Sequence, residues 1–289
     1  VKSNVVKVQL TPVDRHLPQQ NPEAATPQNE KNMKYTSIKK QLSSGARLNG
    51  CWIETFSPIC AEIMAMSGYD TAMIDLEHGS GAYLEATSMM RAVQNHGCPP
   101  LIRATSANPA VIKRVLDIGP AGIMVPNLSA CEEAEAAVAA CLYGPEGCRG
   151  AAPGIIRATG YGKDVSGYLE WMRDDFLIIG QVESATAVEQ IDDIARVDEL
   201  DMIFIGPADL SASLGALGTF DSPEFIEAFE TVENVTLAAG KWLGTIPFPG
   251  WDAKRLFGNG HGLVISGADT LLLRKAAEED VAEMHRAAG

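Results

Sequence analysis

An α/β fold that closes as a (β/α)8 TIM barrel is what the sequence predicts, on three observations. From Tyr35 onward, short runs of branched and apolar residues alternate with helix-like segments, giving eight strand–helix units in succession. The stretch carrying them has the length of one such barrel, about 250 residues. No G-x-G-x-x-G follows any of the strand-like runs, which weighs against the alternative, an open doubly wound sheet built to bind a dinucleotide.

Each element has a local reason. A first short helix is expected in SIKKQLSSG, then a strand over 48–54, a helix over 58–67, a strand over 71–76 and a helix over 83–95. A strand over 100–103, a helix over 109–118, a strand over 122–126 and a helix over 130–142 complete the first half. Pro58 and Pro109 each open a helix, where the missing N–H would have no partner inside the helix anyway. Residues 144–175 are rich in glycine and too long for an ordinary connection, so they are expected to be a functional excursion from a strand to a helix, lying over the top of the sheet. The alternation resumes with strands over 176–182, 202–205, 241–246 and 262–265. Helices are expected over 185–195, from 207 through 239, over 252–257 and over 269–288.

Residues 1–35 differ from the rest. Proline, glutamine and asparagine fill 12 of these positions, so a flexible extension is expected here, with the barrel over 36–289. The chain carries 37 acidic against 23 basic residues, a formal charge of −14, with no basic run; nucleic acid and anionic membrane are poor partners for it. No apolar run reaches the length of a membrane span. Six cysteines are scattered without a C-x-x-C pair, which suits free thiols in a reducing compartment. A cytoplasmic location is expected, with organellar import left open because the chain begins at Val1 and not at Met.

The stretch IFIGPADLSASLG, 203–215, organises the rest: a buried strand stops at Gly206-Pro207 and Asp209 stands where a helix begins. In a barrel, the carboxyl ends of the strands converge on one rim. There the sequence places Asp75, Glu77 and His78 after the second strand, Arg103 after the third, Gln181 and Glu183 after the fifth, and Asp209 after the sixth. Any one could be a cap or turn residue; four such places on one rim argue for a site. Glu183 and Asp209 are hard oxygen ligands suited to a divalent metal, Mg²⁺ or Mn²⁺, with positions left for water and substrate. A 2-oxo acid could chelate such an ion, while Arg103 stabilises charge on its keto oxygen. His78 is of the residue type suited to proton transfer near neutral pH. No G-x-S-x-G elbow surrounds Ser211 or Ser213, so a hydrolase triad is unsupported.

The motifs GCWIETFSP, GYDTAMIDLEHG, LIRATSANPAVIKRVLDIGPAGIMVP, GPEGCRG, QVESATAV, IGPADLSASLG and GADTLLLRKAA stand in an order and spacing that resembles the HpcH/HpaI aldolase family, metal-dependent pyruvate aldolases of the phosphoenolpyruvate/pyruvate barrel superfamily. The resemblance runs from Leu48 to Ala277. It implies that Glu183 and Asp209 ligate the metal, that Arg103 contacts the pyruvate keto oxygen and that His78 does acid/base work with Asp117 as its partner acid. It further implies that Asp75 orders the arginine, that amides around Ala208 and Asp209 hold the substrate carboxylate, and that Trp52 and Gln181 line the pocket; Ser211 is expected to bind substrate beside them. A hexamer built as a trimer of dimers that exchange their last helix, 269–288, is implied as well. The N-terminal extension and GTIPFPG at 244–250 depart from the family pattern.

The activity this implies is cleavage of a 4-hydroxy-2-oxo acid to pyruvate and an aldehyde through a metal-stabilised enolate. Decarboxylation of oxaloacetate, as in macrophomate synthase, would use the same enolate, and a citrate-lyase-like reaction on a CoA thioester is a third reading that lacks a basic patch for the nucleotide. From a different class, a non-catalytic barrel acting as a scaffold has no physical need for such a set of polar groups.

Overall fold

The computed structural model describes residues 37–288, and the extension expected over 1–35 lies outside them. Eight parallel strands, β1 (Leu48–Ile53), β2 (Thr71–Asp75), β3 (Pro100–Arg103), β4 (Gly122–Val125), β5 (Leu177–Val182), β6 (Met202–Ile205), β7 (Trp242–Thr245) and β8 (Leu263–Ala268), pair in sequence order. Strand β8 returns to pair with β1, with an irregularity at Gly50/Cys51, and the barrel is closed. Between them run α1 (Ile38–Ser43), α2 (Pro58–Met66), α3 (Tyr83–Asn95), α4 (Pro109–Asp117), α5 (Cys131–Cys141), α6 (Val165–Asp174), α7 (Ala185–Glu189), α8 (Ile191–Ile194), α9 (Pro207–Ser213), α10 (Pro223–Ala238), α11 (Ala253–Gly258) and α12 (Asp269–Ala288).

The strands are buried on both faces, as a parallel sheet requires, so they read as nearly unbroken apolar runs. Alternate residues diverge. Leu48, Met73, Leu101, Leu177, Ile179 and Met202 fill the barrel interior; Ile74, Ile102, Ile123, Ile178 and Ile203 face outward into the layer shared with the helices. At the N-terminal mouth α1 acts as a plug, its Ile38 and Leu42 joining the interior cluster. Ion pairing of Lys39 with Asp201 (2.8 Å) and a hydrogen bond from Ser37 Oγ to Asp175 (3.1 Å) fix it to the residues that precede β6 and β5. Among the described residues no helix is long and apolar enough to cross a membrane.

Two expectations are corrected. Residues 144–175 do not lie over the top of the sheet. They follow α5, which has already carried the chain back to the N-terminal rim, so they form a helix-to-strand connection. That connection holds a 3-10 turn (Arg157–Thr159) and all of α6, and it is tied to the end of α4: Arg157 donates to the Ile118 carbonyl at 2.7 Å and Arg149 pairs with Asp117 at 2.9 Å. The single helix expected over 185–195 is two, broken at Gln190 (φ −101°, ψ 5°), after which Ile191 and Ile194 turn into the core.

Helix α12 is anchored only at its start. Asp269 accepts from the backbone N–H groups of Glu54 and Thr270, both at 2.9 Å, and from the Thr55 hydroxyl. It is the one buried residue of the helix, and Leu271, Leu272, Leu273, Val281 and Met284 are exposed.

Candidate active site

At the carboxyl ends of the strands, the apolar interior gives way to polar side chains. In-register pairing of Asp75 on β2 with Arg103 on β3 puts the two side by side, both pointing inward. Arg103 grips Asp75 with two parallel bonds, Nε to Oδ1 at 2.8 Å and Nη2 to Oδ2 at 2.6 Å, a fork that fixes the guanidinium plane. Its third nitrogen, Nη1, lies 3.2 Å from Glu77 Oε2. The Trp52 ring, at the end of β1, stacks with the guanidinium carbon 4.4 Å from its centroid. Asp75 is wholly buried and Arg103 nearly so. Burial alone would lower the arginine's pKa, but the bond to Asp75 and the charges of Asp75, Glu77 and Glu183 raise it, so its charge is permanent.

The same Asp75 shapes the turn that follows. Its Oδ1 accepts from the backbone N–H groups of Glu77 (3.0 Å) and His78 (3.4 Å), and this turn delivers His78 to the rim as an exposed side chain.

Across the mouth stands Glu183, just beyond β5. Its Oε1 accepts from the Asn127 N–H at 2.9 Å, offered by a left-handed residue (φ 53°), and its Oε2 accepts from Gln181 Nε2 at 2.5 Å. A Cβ at 206 would stand 2.5 Å from Glu183 Oε2 and 2.9 Å from Gln181 Nε2, so any side chain in place of Gly206 would push this hydrogen-bonded pair out of position. Burial, then the neighbouring charges of Asp209 and Glu77, push the Glu183 carboxyl up to about 7. Asp209 itself is exposed, in the first turn of α9 behind Pro207.

Most of the expected site residues therefore meet at one mouth: Trp52, Asp75, His78, Arg103, Gln181, Glu183, and Asp209 with Ala208 at the start of α9. Two do not. Ser211 is fully buried on the inner face of α9, where its hydroxyl donates to the Ala208 carbonyl (2.7 Å) and accepts from Gly218 N–H (2.9 Å); it braces the loop after the helix. Asp117 ends α4 on the opposite rim, paired with Arg149, and cannot reach His78 of its own chain. Gln181 is in place, but it braces Glu183, and its buried Oε1 has no hydrogen-bond partner among the described residues.

Glu77 stands on the rim where the sequence puts it, but its contact with Arg103 was not suggested by the sequence; it comes from the turn after β2, in which Asp75 Oδ1 holds the Glu77 N–H. Burial first, and the charges of Asp75 and Asp209, raise its carboxyl, while Arg103 and His78 pull it down.

Chemically, four carboxylates, Asp75, Glu77, Glu183 and Asp209, gather around one guanidinium, an excess of negative charge in a partly buried mouth. The donor set is hard oxygen, supplied by groups that repel one another, which fits a divalent cation of the Mg²⁺ class. No cluster of three or more His, Cys, Asp or Glu side chains is assembled to hold a metal among the described residues, and Glu183 with Asp209 is the carboxylate pair that would take one.

The HpcH/HpaI aldolase/citrate lyase family model matches residues 48–276. The chain is 36% identical over 245 residues to the 2-keto-3-deoxy-L-rhamnonate aldolase of Klebsiella pneumoniae, which spans 85% of this chain and 91% of that one. It is also 36% identical over 242 residues to the hydroxypyruvate/pyruvate aldolase of Chromohalobacter salexigens, covering 84% and 95% of the two chains. Among solved structures, a HpcH/HpaI aldolase/citrate lyase family protein from Burkholderia cenocepacia J2315 superposes with a TM-score of 0.80 at 31% identity, over 86% of this chain and 98% of the other. Macrophomate synthase, at 24% identity and a TM-score of 0.75 over 87% and 90% of the two chains, shares the fold. With the family match spanning the whole barrel, the chain belongs to the HpcH/HpaI aldolase/citrate lyase family and is a lyase of the aldolase type.

Proposed function

We propose that this protein cleaves a 4-hydroxy-2-oxo acid to pyruvate and an aldehyde, and runs the same aldol reaction in reverse. The observation that carries this reading is the immobilised guanidinium of Arg103, locked by Asp75 and facing Glu183 and Asp209 across a partly buried mouth. Glu183 and Asp209 would hold a divalent cation, Mg²⁺ or Mn²⁺, which when bound supplies Lewis-acid polarisation of the 2-oxo group. Arg103 donates a hydrogen bond to the keto oxygen and stabilises the negative charge that develops there; because Asp75 holds it in place beforehand, little reorganisation is needed during reaction. His78 accepts the proton of the C4 hydroxyl as the C3–C4 bond breaks. The bonding pair moves toward the keto oxygen, giving the pyruvate enolate and the aldehyde, and protonation at C3 completes pyruvate. The free amides at the start of α9, around Ala208 and Asp209, suit the substrate carboxylate.

Asp117 can assist His78 only from a second copy of the chain, since its own barrel stands between them. That requirement and the uncovered apolar face of α12 support a homo-oligomer with exchanged C-terminal helices, a hexamer on the family pattern. All six cysteines are free, which supports the cytoplasm or another reducing compartment.

The test supplies the purified protein with a 4-hydroxy-2-oxo acid and, separately, with oxaloacetate, each with Mg²⁺ or Mn²⁺ and again with chelator. Metal-dependent release of pyruvate and aldehyde in equal amounts is expected. Turnover of oxaloacetate alone would make the enzyme a decarboxylase, and silence on both substrates with every metal would sink the catalytic reading.

A further inference from the structure

Far from the mouth, on the N-terminal rim, the structure holds a cavity of about 390 Å³. Its walls come from the end of α3, from the turns that precede β3 and β4, and from the 3-10 turn of the 144–175 connection. A volume of this order is that of a small-molecule site. Two of its wall residues are arginines, Arg91 and Arg157, and none is acidic, although acidic residues outnumber basic ones by 37 to 23 in the chain as a whole.

The two arginines are not equivalent. Arg157 is positioned by the fold, its Nη1 donating to the Ile118 carbonyl (2.7 Å) and its Nη2 to Gln94 Oε1 (2.8 Å), both neutral acceptors. Arg91 is exposed and has no hydrogen bond or ion pair among the described residues. Burial and the positive charge of Arg91 together lower the pKa of Arg157, so the pair concentrates positive charge at the cavity, and among the described residues no carboxylate pairs with either. Beside them, Tyr161 is held in the left-handed region (φ 59°), an uncommon backbone for a bulky residue, and presents its exposed ring and hydroxyl at the cavity edge. The lining also holds the apolar surfaces of Pro100, Pro120 and Trp171.

We infer that this cavity binds a small organic anion, with a carboxylate or phosphate head held between Arg91 and Arg157 and an apolar body against the proline and tryptophan wall. Arg157 is preset by its neutral partners and Arg91 swings onto the head as the second clamp, a charge-assisted pairing. The site is independent of the aldolase mouth, because the strands of the barrel lie between them.

Phenyl phosphate and benzoate are the probes, with benzyl alcohol as the neutral control, and binding is read by calorimetry on the full chain. Both anions should bind and the alcohol should not; the stronger of the two identifies the preferred head group. Arg91→Ala, which removes an exposed side chain without partners, should weaken binding by about tenfold or more, the value of one charged contact. Arg103→Ala, which alters the other anion site, should leave it unchanged. Equal affinity in Arg91→Ala and the unaltered protein, loss of binding in Arg103→Ala alone, or no binding of either anion at millimolar concentration would overturn the inference.

Discussion

Arg103 owes its usefulness to geometry more than to charge. The two parallel bonds to Asp75 fix the plane of the guanidinium, and Trp52 packs on its face. A lysine would keep the charge and lose the fork. Arg103→Lys is therefore expected to lower kcat/KM for aldol cleavage by about a hundredfold or more, the typical cost of a preorganised donor; a loss under threefold in steady-state kinetics would contradict the role. Ser211→Ala should behave oppositely. It removes a buried hydroxyl that bridges the Ala208 carbonyl and Gly218 N–H, so denaturant unfolding should show a loss of about 1–3 kcal/mol, with KM for pyruvate unchanged. The contrast shows what was legible at this scale. Asp75, Arg103 and Glu183 could be read from the sequence because they stand at strand ends, where alternation decides which side faces inward. The buried bracing role of Ser211 and the contact of Glu77 with Arg103 could not, because a helix turn and the turn past a strand are set by local bonds that the residue types alone do not specify. The mutual repulsion of Glu183 and Asp209 yields a third expectation: Mg²⁺ or Mn²⁺ at a hundredfold excess over its Kd should stabilise the protein by about 2.7 kcal/mol. Asp209→Asn should erase that increment in a thermal melt, and an increment retained in full would show that the ion binds elsewhere.

At the scale of elements, the barrel was readable because eight apolar runs, each followed by an amphipathic one, leave few other closures. The opening helix was legible as a helix but not as a plug, since only the packed barrel reveals that Ile38 and Leu42 enter its N-terminal mouth. Leu42→Ala should cost about 2–5 kcal/mol in chemical denaturation while leaving kcat intact, because the plug is at the end of the barrel away from Arg103. A kcat that fell with stability would place α1 in the site's support. Residues 144–175 went astray for a physical reason. Their glycine content suggested a catalytic loop, yet chain direction alternates with every element, and a segment after a helix is on the return side of a parallel barrel whatever its composition. The break at Gln190 is equally invisible to periodicity, which continues through it.

At the scale of the whole molecule, apolar surface is left uncovered among the described residues. Helix α12 turns five large apolar side chains to solvent, and the exposed Ile59, Ile63 and Met66 of α2 add a second apolar strip. Faces of this kind mark interfaces. Shortening the chain to end at Leu273 is expected to reduce the assembly size in sedimentation, and an unchanged profile would remove α12 from the interface. Separation of Asp117 from His78 within one chain leads to a sharper expectation. If the pair forms between copies, mixing His78→Asn with Asp117→Asn, each nearly inactive alone, should restore part of the activity on reassembly.

The central claim is that Arg103, Glu183 and Asp209 together generate and hold the enolate of pyruvate. Proton NMR of pyruvate in deuterated water, with the enzyme and Mg²⁺ or Mn²⁺ and no aldehyde, reads that step alone. The account predicts metal-dependent loss of the methyl signal, abolished by chelator and by Asp209→Ala. A methyl signal that persists with every metal, or exchange that survives in Asp209→Ala, would contradict it.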